Sequence, residues 1–164
     1  MNFQFYLEKL YSSEIFKNFI KENSKAYLCS GFFTIDKEGK DNQIHIDFYI
    51  PDSKKMFSFR IEKKIEKIPV EMITKKIPLE IKLDFDFNLE EIEEMIVNEM
   101  KKKDIKTKLQ KIIFSLQNIK GKNFLVCTVF TSMLGLLKVH IDLKEKKIIL
   151  FEKKSFFDLM KRVK

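Results

Sequence analysis

The sequence predicts an α+β fold, an internally duplicated arrangement of helix plus antiparallel three-stranded meander, with the helices packed on one face of the sheet. Three observations carry the prediction. Stretches with helical spacing of apolar residues alternate in blocks with stretches of period two. The only two cysteines and the only two histidines recur at matching places, Ala26-Tyr27-Leu28-Cys29 leading to Ile44-His45-Ile46-Asp47, and Phe124-Leu125-Val126-Cys127 leading to Val139-His140-Ile141-Asp142. After each His-x-Asp a two-lysine, apolar run follows, Lys54-Lys55-Met56-Phe57-Ser58-Phe59 and Lys146-Lys147-Ile148-Ile149-Leu150-Phe151.

A chain of 164 residues with 45% apolar content suffices for one buried core, so a single domain over 1–164 is expected. Its parts are a first repeat over about 3–63, a connector with an extra strand over 64–88, a second repeat over about 89–152, and a closing helix over 155–163.

The first element is one bent helix or two short ones. Phe3, Leu7, Leu10 and Tyr11, then Ile15, Phe16, Phe19 and Ile20, follow helical spacing, and Ser12-Ser13 can cap a second segment. From Lys25 the period changes to two. A strand around 26–35 is apolar on both faces. The next places Ile44, Ile46, Phe48 and Ile50 inward and Gln43, His45, Asp47 and Tyr49 outward, and the third turns Phe57, Phe59 and Ile61 inward. The turns between them lie at 36–42 and 51–53.

Residues 64–77 form a connector in which Pro69 argues against a central strand, as does Pro78 just beyond it. Leu79, Ile81, Leu83, Phe85 and Phe87 then alternate with Glu80, Lys82, Asp84 and Asp86, the clearest strand pattern in the chain. Asn88 with Glu91 makes a capping box opening a helix with glutamates in its first turns and Lys101, Lys102 and Lys103 at its end. Asp104 is placed to cap a further helix with Ile105, Leu109, Ile112, Ile113 and Leu116 on one side, ending near Gly121. Strands at about 123–131, 136–143 and 146–152 follow, and Ser155 and Asp158 open the closing helix.

Charge is unevenly spread. Residues 101–164 hold 17 basic and 5 acidic side chains, against small acidic excesses in 1–50 and 51–100. An anionic partner is therefore conceivable in the last third. Only Arg60 and Arg162 are arginine, however, and nucleic-acid readers favour arginine for bidentate contacts. Neither a signal peptide nor a run of roughly 18 apolar residues is present, which leads to the expectation of a cytoplasmic protein not bound to membrane. Two cysteines inside apolar strands read as buried thiols, not as a disulfide framework.

Residues i and i+2 of a strand share a face, so His45 lies beside Asp47 and His140 beside Asp142, both pairs on the polar side. Their convergence would build a metal or acid–base site, since a carboxylate commonly orients an imidazole. The alternative is a solvent face copied by duplication, and that reading is preferred, with no metal and no cofactor assigned. No HExxH, paired CxxC, phosphate loop or nucleophile elbow occurs. The turn Ser132-Met133-Leu134-Gly135-Leu136-Leu137 breaks a local rule, being apolar where hairpins normally meet water. It either tucks beneath a neighbouring element or a dimer mate, or meets a partner.

A helix followed by Lys122-Asn123-Phe124-Leu125-Val126-Cys127-Thr128, then Leu137-Lys138-Val139-His140-Ile141-Asp142 and Lys147-Ile148-Ile149-Leu150, resembles the PepSY domain. The resemblance covers residues 105–152, with an echo in 26–63. Leu143-Lys144-Glu145-Lys146 stands where that family usually carries Thr-Gly in its turn. The element order also resembles type III secretion chaperone and YbjN-like folds. Both resemblances imply binding modules and not enzymes.

The expected function is that of a small intracellular binding or scaffolding protein engaging a protein partner or a second copy, with Met133, Leu134, Leu136, Leu137, His45, Asp47, His140 and Asp142 as candidate contacts. The first alternative is lysine-mediated association with nucleic acid through a helix carrying Lys101, Lys102, Lys103, Lys106, Lys108 and Lys111. A metal-dependent site from the paired His-x-Asp motifs is the second.

Overall fold

A computed structural model describes residues 2–155. Asn2 caps α1 (Phe3–Tyr11) by accepting from the Phe5 amide, and Ser13 caps α2 (Glu14–Glu22) by accepting from Phe16. Four strands follow, β1 (Tyr27–Asp36), β2 (Ile44–Ile50), β3 (Lys55–Ile61) and β4 (Ile65–Val70). After a long crossing segment come α3 (Leu89–Lys102) and β5 (Leu109–Ile119), β6 (Lys122–Thr131), β7 (Gly135–Asp142) and β8 (Lys147–Ser155). The strands make one eight-stranded sheet in the order β4-β3-β2-β1-β5-β6-β7-β8, antiparallel throughout.

The α+β class and the separation into helix and meander blocks agree with expectation, but each meander has four strands, not three. The helix expected after Asp104 is β5. Asp104 itself takes φ +55 and ends α3 instead of opening a new helix. Ile112, Phe114 and Leu116 point into the core at period two, with no exposed surface, and Ile113, Ser115 and Gln117 between them are half-buried. The stretch before Lys122, read as helical in the PepSY-like pattern, is therefore strand. The proline-bearing connector supplies β4, an edge strand with Pro69 opposite Phe57. The clear alternation at 79–87 is extended chain outside the sheet, joined to the rest by single contacts such as the Ile81 amide to the Leu28 carbonyl at 2.8 Å. The closing helix expected over 155–163 lies, from residue 156 on, outside the described residues.

The core rests on cross-strand rows. Phe59, Ile46, Gly31, Leu116, Leu125 and Ile141 face one another in succession across six strands. Gly31 belongs there because a Cβ would lie 3.1 Å from the Phe33 ring. Phe16 packs on Phe48 and Phe59 at 5.0 and 5.4 Å between ring centres, Phe19 on Phe59 at 5.1 Å, and Phe3 edge-on against Phe33 at 5.7 Å. Ile92, Ile96 and Met100 of α3 join the same cluster. Asn88 accepts from the Glu90 and Glu91 amides at 2.9 and 3.4 Å, so the expected cap starts α3 where the sequence places it.

Candidate functional site

Alternate residues of the same strands build a second, polar row structure. One row reads Arg60, His45, Phe32, Ser115, Val126, His140, Leu150 from β3 to β8, and the next Ser58, Asp47, Ser30, Gln117, Phe124, Asp142, Lys147. His45 and Asp47 thus share a face with His140 and Asp142, as their spacing requires. They do not converge. β1, β5 and β6 stand between β2 and β7, and four interstrand steps amount to about 19 Å. Among the described residues no three His, Cys, Asp or Glu side chains come close enough to hold a metal.

The two pairs also differ in chemistry. Ser30 donates to the Asp47 carboxylate at 2.6 Å, and the His45 Nδ1 lies 3.2 Å from the Ser58 hydroxyl. Burial pushes the Asp47 carboxyl up, and hydrogen bonds from Ser30 and Ser58 oppose it. Ser58 has one hydroxyl proton and two neighbours able to accept it, so the Asp47 and His45 protonation states are linked through it. Asp142 is 8% exposed and structural, accepting from the Lys144 and Glu145 amides at 3.0 Å to close the turn into β8. The Nε2 of His140 is buried without a hydrogen-bond partner.

Both imidazoles are held below the ordinary histidine value of 6.5, first by burial, with Arg60 adding to the shift at His45 and Lys138 at His140. Nearby acids, Asp47 and Glu62 for His45 and Glu152 for His140, oppose it. The folded chain then binds fewer histidine protons than the unfolded one below pH 6.5, so these groups make stability fall as pH drops through that value. Asp47 acts oppositely, its raised value favouring the fold toward acid. His140→Leu is expected to lose less stability than the parent between pH 7 and 5 in urea titrations. Parallel profiles would exclude His140 as a source of that dependence.

The cysteines have parted company. Cys127 is fully buried in the core row behind Phe114, and burial raises its thiol. Cys29 is the extra residue of a bulge between Leu28 and Ser30, with its Sγ 3.5 Å from the Met56 Sδ, and burial pushes it up to about 12. Counted outward from the β1–β5 seam, Cys29 sits on the first strand of its half and Cys127 on the second, so the matching landmarks do not occupy matching strands.

Of the hairpin residues, Leu136 and Leu137 are buried, whereas Met133 is 90% and Leu134 68% exposed. Both tip residues take positive φ, +62 and +58. The tip is not tucked beneath a neighbouring element of the chain. The lysines expected on one helix are dispersed. α3 ends at Lys102, Lys103 lies over the Phe151 ring at 5.4 Å, and Lys111 is on β5 in an ion pair with Asp41.

Sequence reasoning missed a cavity of about 810 Å³ between the polar row of β1 and β5 and the crossing segment 71–79. Cys29, Ser30, Met56, Ser115 and Gln117 form its sheet side. The available signal was the cluster Met72, Ile73, Ile77, Leu79 in a segment too proline-bounded to join the sheet.

Among the described residues no helix is long and apolar enough to cross a membrane. No family model matches the chain, and no curated protein matches it. Among solved structures the fold is similar to that of a "putative lipoprotein" from Clostridium difficile 630, with a TM-score of 0.58 at 11% identity over 86% of this chain and 91% of that one. At that identity the likeness is one of fold alone.

Proposed function

We propose that this chain is a binding module and not an enzyme, and that it engages a protein partner with the β6–β7 tip as its apolar anchor. The observation that carries the reading is Met133 and Leu134 standing exposed on left-handed backbone. Asparagine and glycine suit such positions, and a leucine there costs stability, so two large apolar side chains kept at that cost point to use. The reading takes all three helices to lie on the Phe33, Phe48 and Phe59 side, which leaves the parts of the His45 and His140 rows outside the cover of residues 71–79 to extend the contact. It also takes the chain as a diverged duplication in which the Cys and His landmarks of the second copy are displaced by one strand from those of the first.

The double variant Met133→Asn, Leu134→Gly is expected to raise the unfolding free energy by about 1 kcal/mol, read from urea denaturation. A photocrosslinking phenylalanine at Ser132, placed in the producing cells, should capture one discrete protein, and the double variant should lose that adduct. An adduct pattern at Ser132 indistinguishable from one at Lys101 on α3 would end the proposal.

A further inference from the structure

We propose that the cavity under residues 71–79 is a binding site for a long-chain carboxylate, an amphiphile with an apolar tail and an anionic head. This site is separate from the β6–β7 tip and does not rest on the partner reading. Its volume, about 810 Å³, falls in the range of small-molecule sites, roughly 300–1,000 Å³. Four of the ten large exposed apolar side chains among the described residues line it, Ile73 at 97%, Ile77 at 60%, Leu79 at 50% and Ile119 at 38%. Such a concentration around one concavity is apolar surface that a ligand's tail would remove from water. Met56 and Met72 add unbranched side chains that adapt to an irregular chain.

Charge selects the head. Lys76 and Lys120 stand in the lining, with Glu71 as its one acid, so the balance favours an anion. The hydroxyls of Ser30 and Ser115 and the Gln117 amide lie on the sheet side, but they are neutral and carry no charge to set against an anion. Ser30 donates to Asp47, and Gln117 donates to Ser115 at 2.9 Å. The carboxylate is therefore assigned to the lysines and the tail to the apolar wall. The covering segment is fastened at both ends, before it by the β4 pairing of Val70 with Met56 and after it by two hydrogen bonds, and is free between them. Tyr27 donates to the Pro78 carbonyl at 2.6 Å and the Asn118 amide to the Glu80 carbonyl at 2.8 Å, while residues 73–77 are exposed. Movement of that stretch can admit a tail without disturbing the sheet.

Calorimetric titration with dodecanoate, below its micellar range, is expected to give saturable 1:1 binding, with dodecanol and dodecyltrimethylammonium at least about tenfold weaker. Lys76→Glu with Lys120→Glu should weaken dodecanoate about tenfold, and Ile77→Asp, on an exposed side chain that leaves the fold intact by circular dichroism, should weaken all three. Absence of saturable binding overturns the proposal. So does equal affinity for dodecanoate and dodecanol, or dodecanoate binding unchanged in Ile77→Asp.

Discussion

Phe59→Ala is expected to destabilise the protein by about 3–5 kcal/mol, the range for emptying a large, fully enclosed aromatic site. Phe59 has no exposed surface and touches the rings of Phe16, Phe19 and Phe48 at 5.4, 5.1 and 5.9 Å. Those rings come from α2 and from β2, so truncation loosens the helix–sheet junction as well as the strand. Collapse to fill the space would need several aromatic side chains to leave their positions together, which close packing resists. Phe5→Ala, at a side chain 46% exposed, is the control and should cost less than about 1 kcal/mol. Urea unfolding followed by far-ultraviolet circular dichroism distinguishes the two. Similar losses for both would mean that the aromatic junction is not what holds α2 to the sheet.

The second large effect is a contrast between adjacent residues. Ile112→Asp is expected to cost more than about 4 kcal/mol, because it buries an unpaired carboxylate in the core beside Ile35 and Val129. Ile113→Asp, one position on, faces the half-open polar side between Thr34 and Thr128 and should cost about 1 kcal/mol or less. A helix through this stretch would put both isoleucines on one side and make both substitutions severe. Expression, solubility and urea midpoints of the pair therefore test the strand directly, and two equally damaging substitutions would refute it.

That contrast marks where the sequence was legible and where it was not. The caps at Ser13 and Asn88 are local, since the side chain and the amides it serves lie within three residues of one another, and both helices start where those residues stand. The inward parity of Ile46, Phe48 and Phe59 was readable for the same reason. Ile105, Leu109, Ile112, Ile113 and Leu116 fit helical spacing, whereas the inward set of the strand is Ile112, Phe114 and Leu116, and what decides between them is the presence of β1 and β6 on either side, a long-range fact. Segment 79–87 is the converse case. Its alternation is strict, but β4 and β8 end the sheet and it has no ladder partner, so Ile81 and Phe87 are buried from an extended chain running outside the sheet.

The candidate sites divide along the same line. An apolar pair at a turn is visible in the sequence itself, and the structure places Met133 and Leu134 in the open. The shared face of His45 and His140 followed from period two, but their separation depends on how many strands intervene. The extra strand of the second meander, β5, changed that count, whereas β4 lies at the outer edge of the sheet. The cavity required knowing that residues 71–79 pass over the polar rows of β1 and β5, a path set by the position of β4 at the sheet edge.

The seam itself has a kinetic consequence. Every other neighbouring strand pair is consecutive in sequence, but β1 meets β5 with Ser30 opposite Gln117 and Asp36 opposite Lys111. Hairpins close in about 1–10 μs, whereas joining strands so far apart must first overcome the entropy of a long loop. The two meanders can therefore assemble independently and early, with their union as the slow step. Until it occurs, β1 and β5 are both unpaired edges carrying Phe33, Ile112, Phe114 and Leu116. Refolding at high protein concentration should accordingly lose yield to aggregation at the interval when the two halves exist but have not yet met.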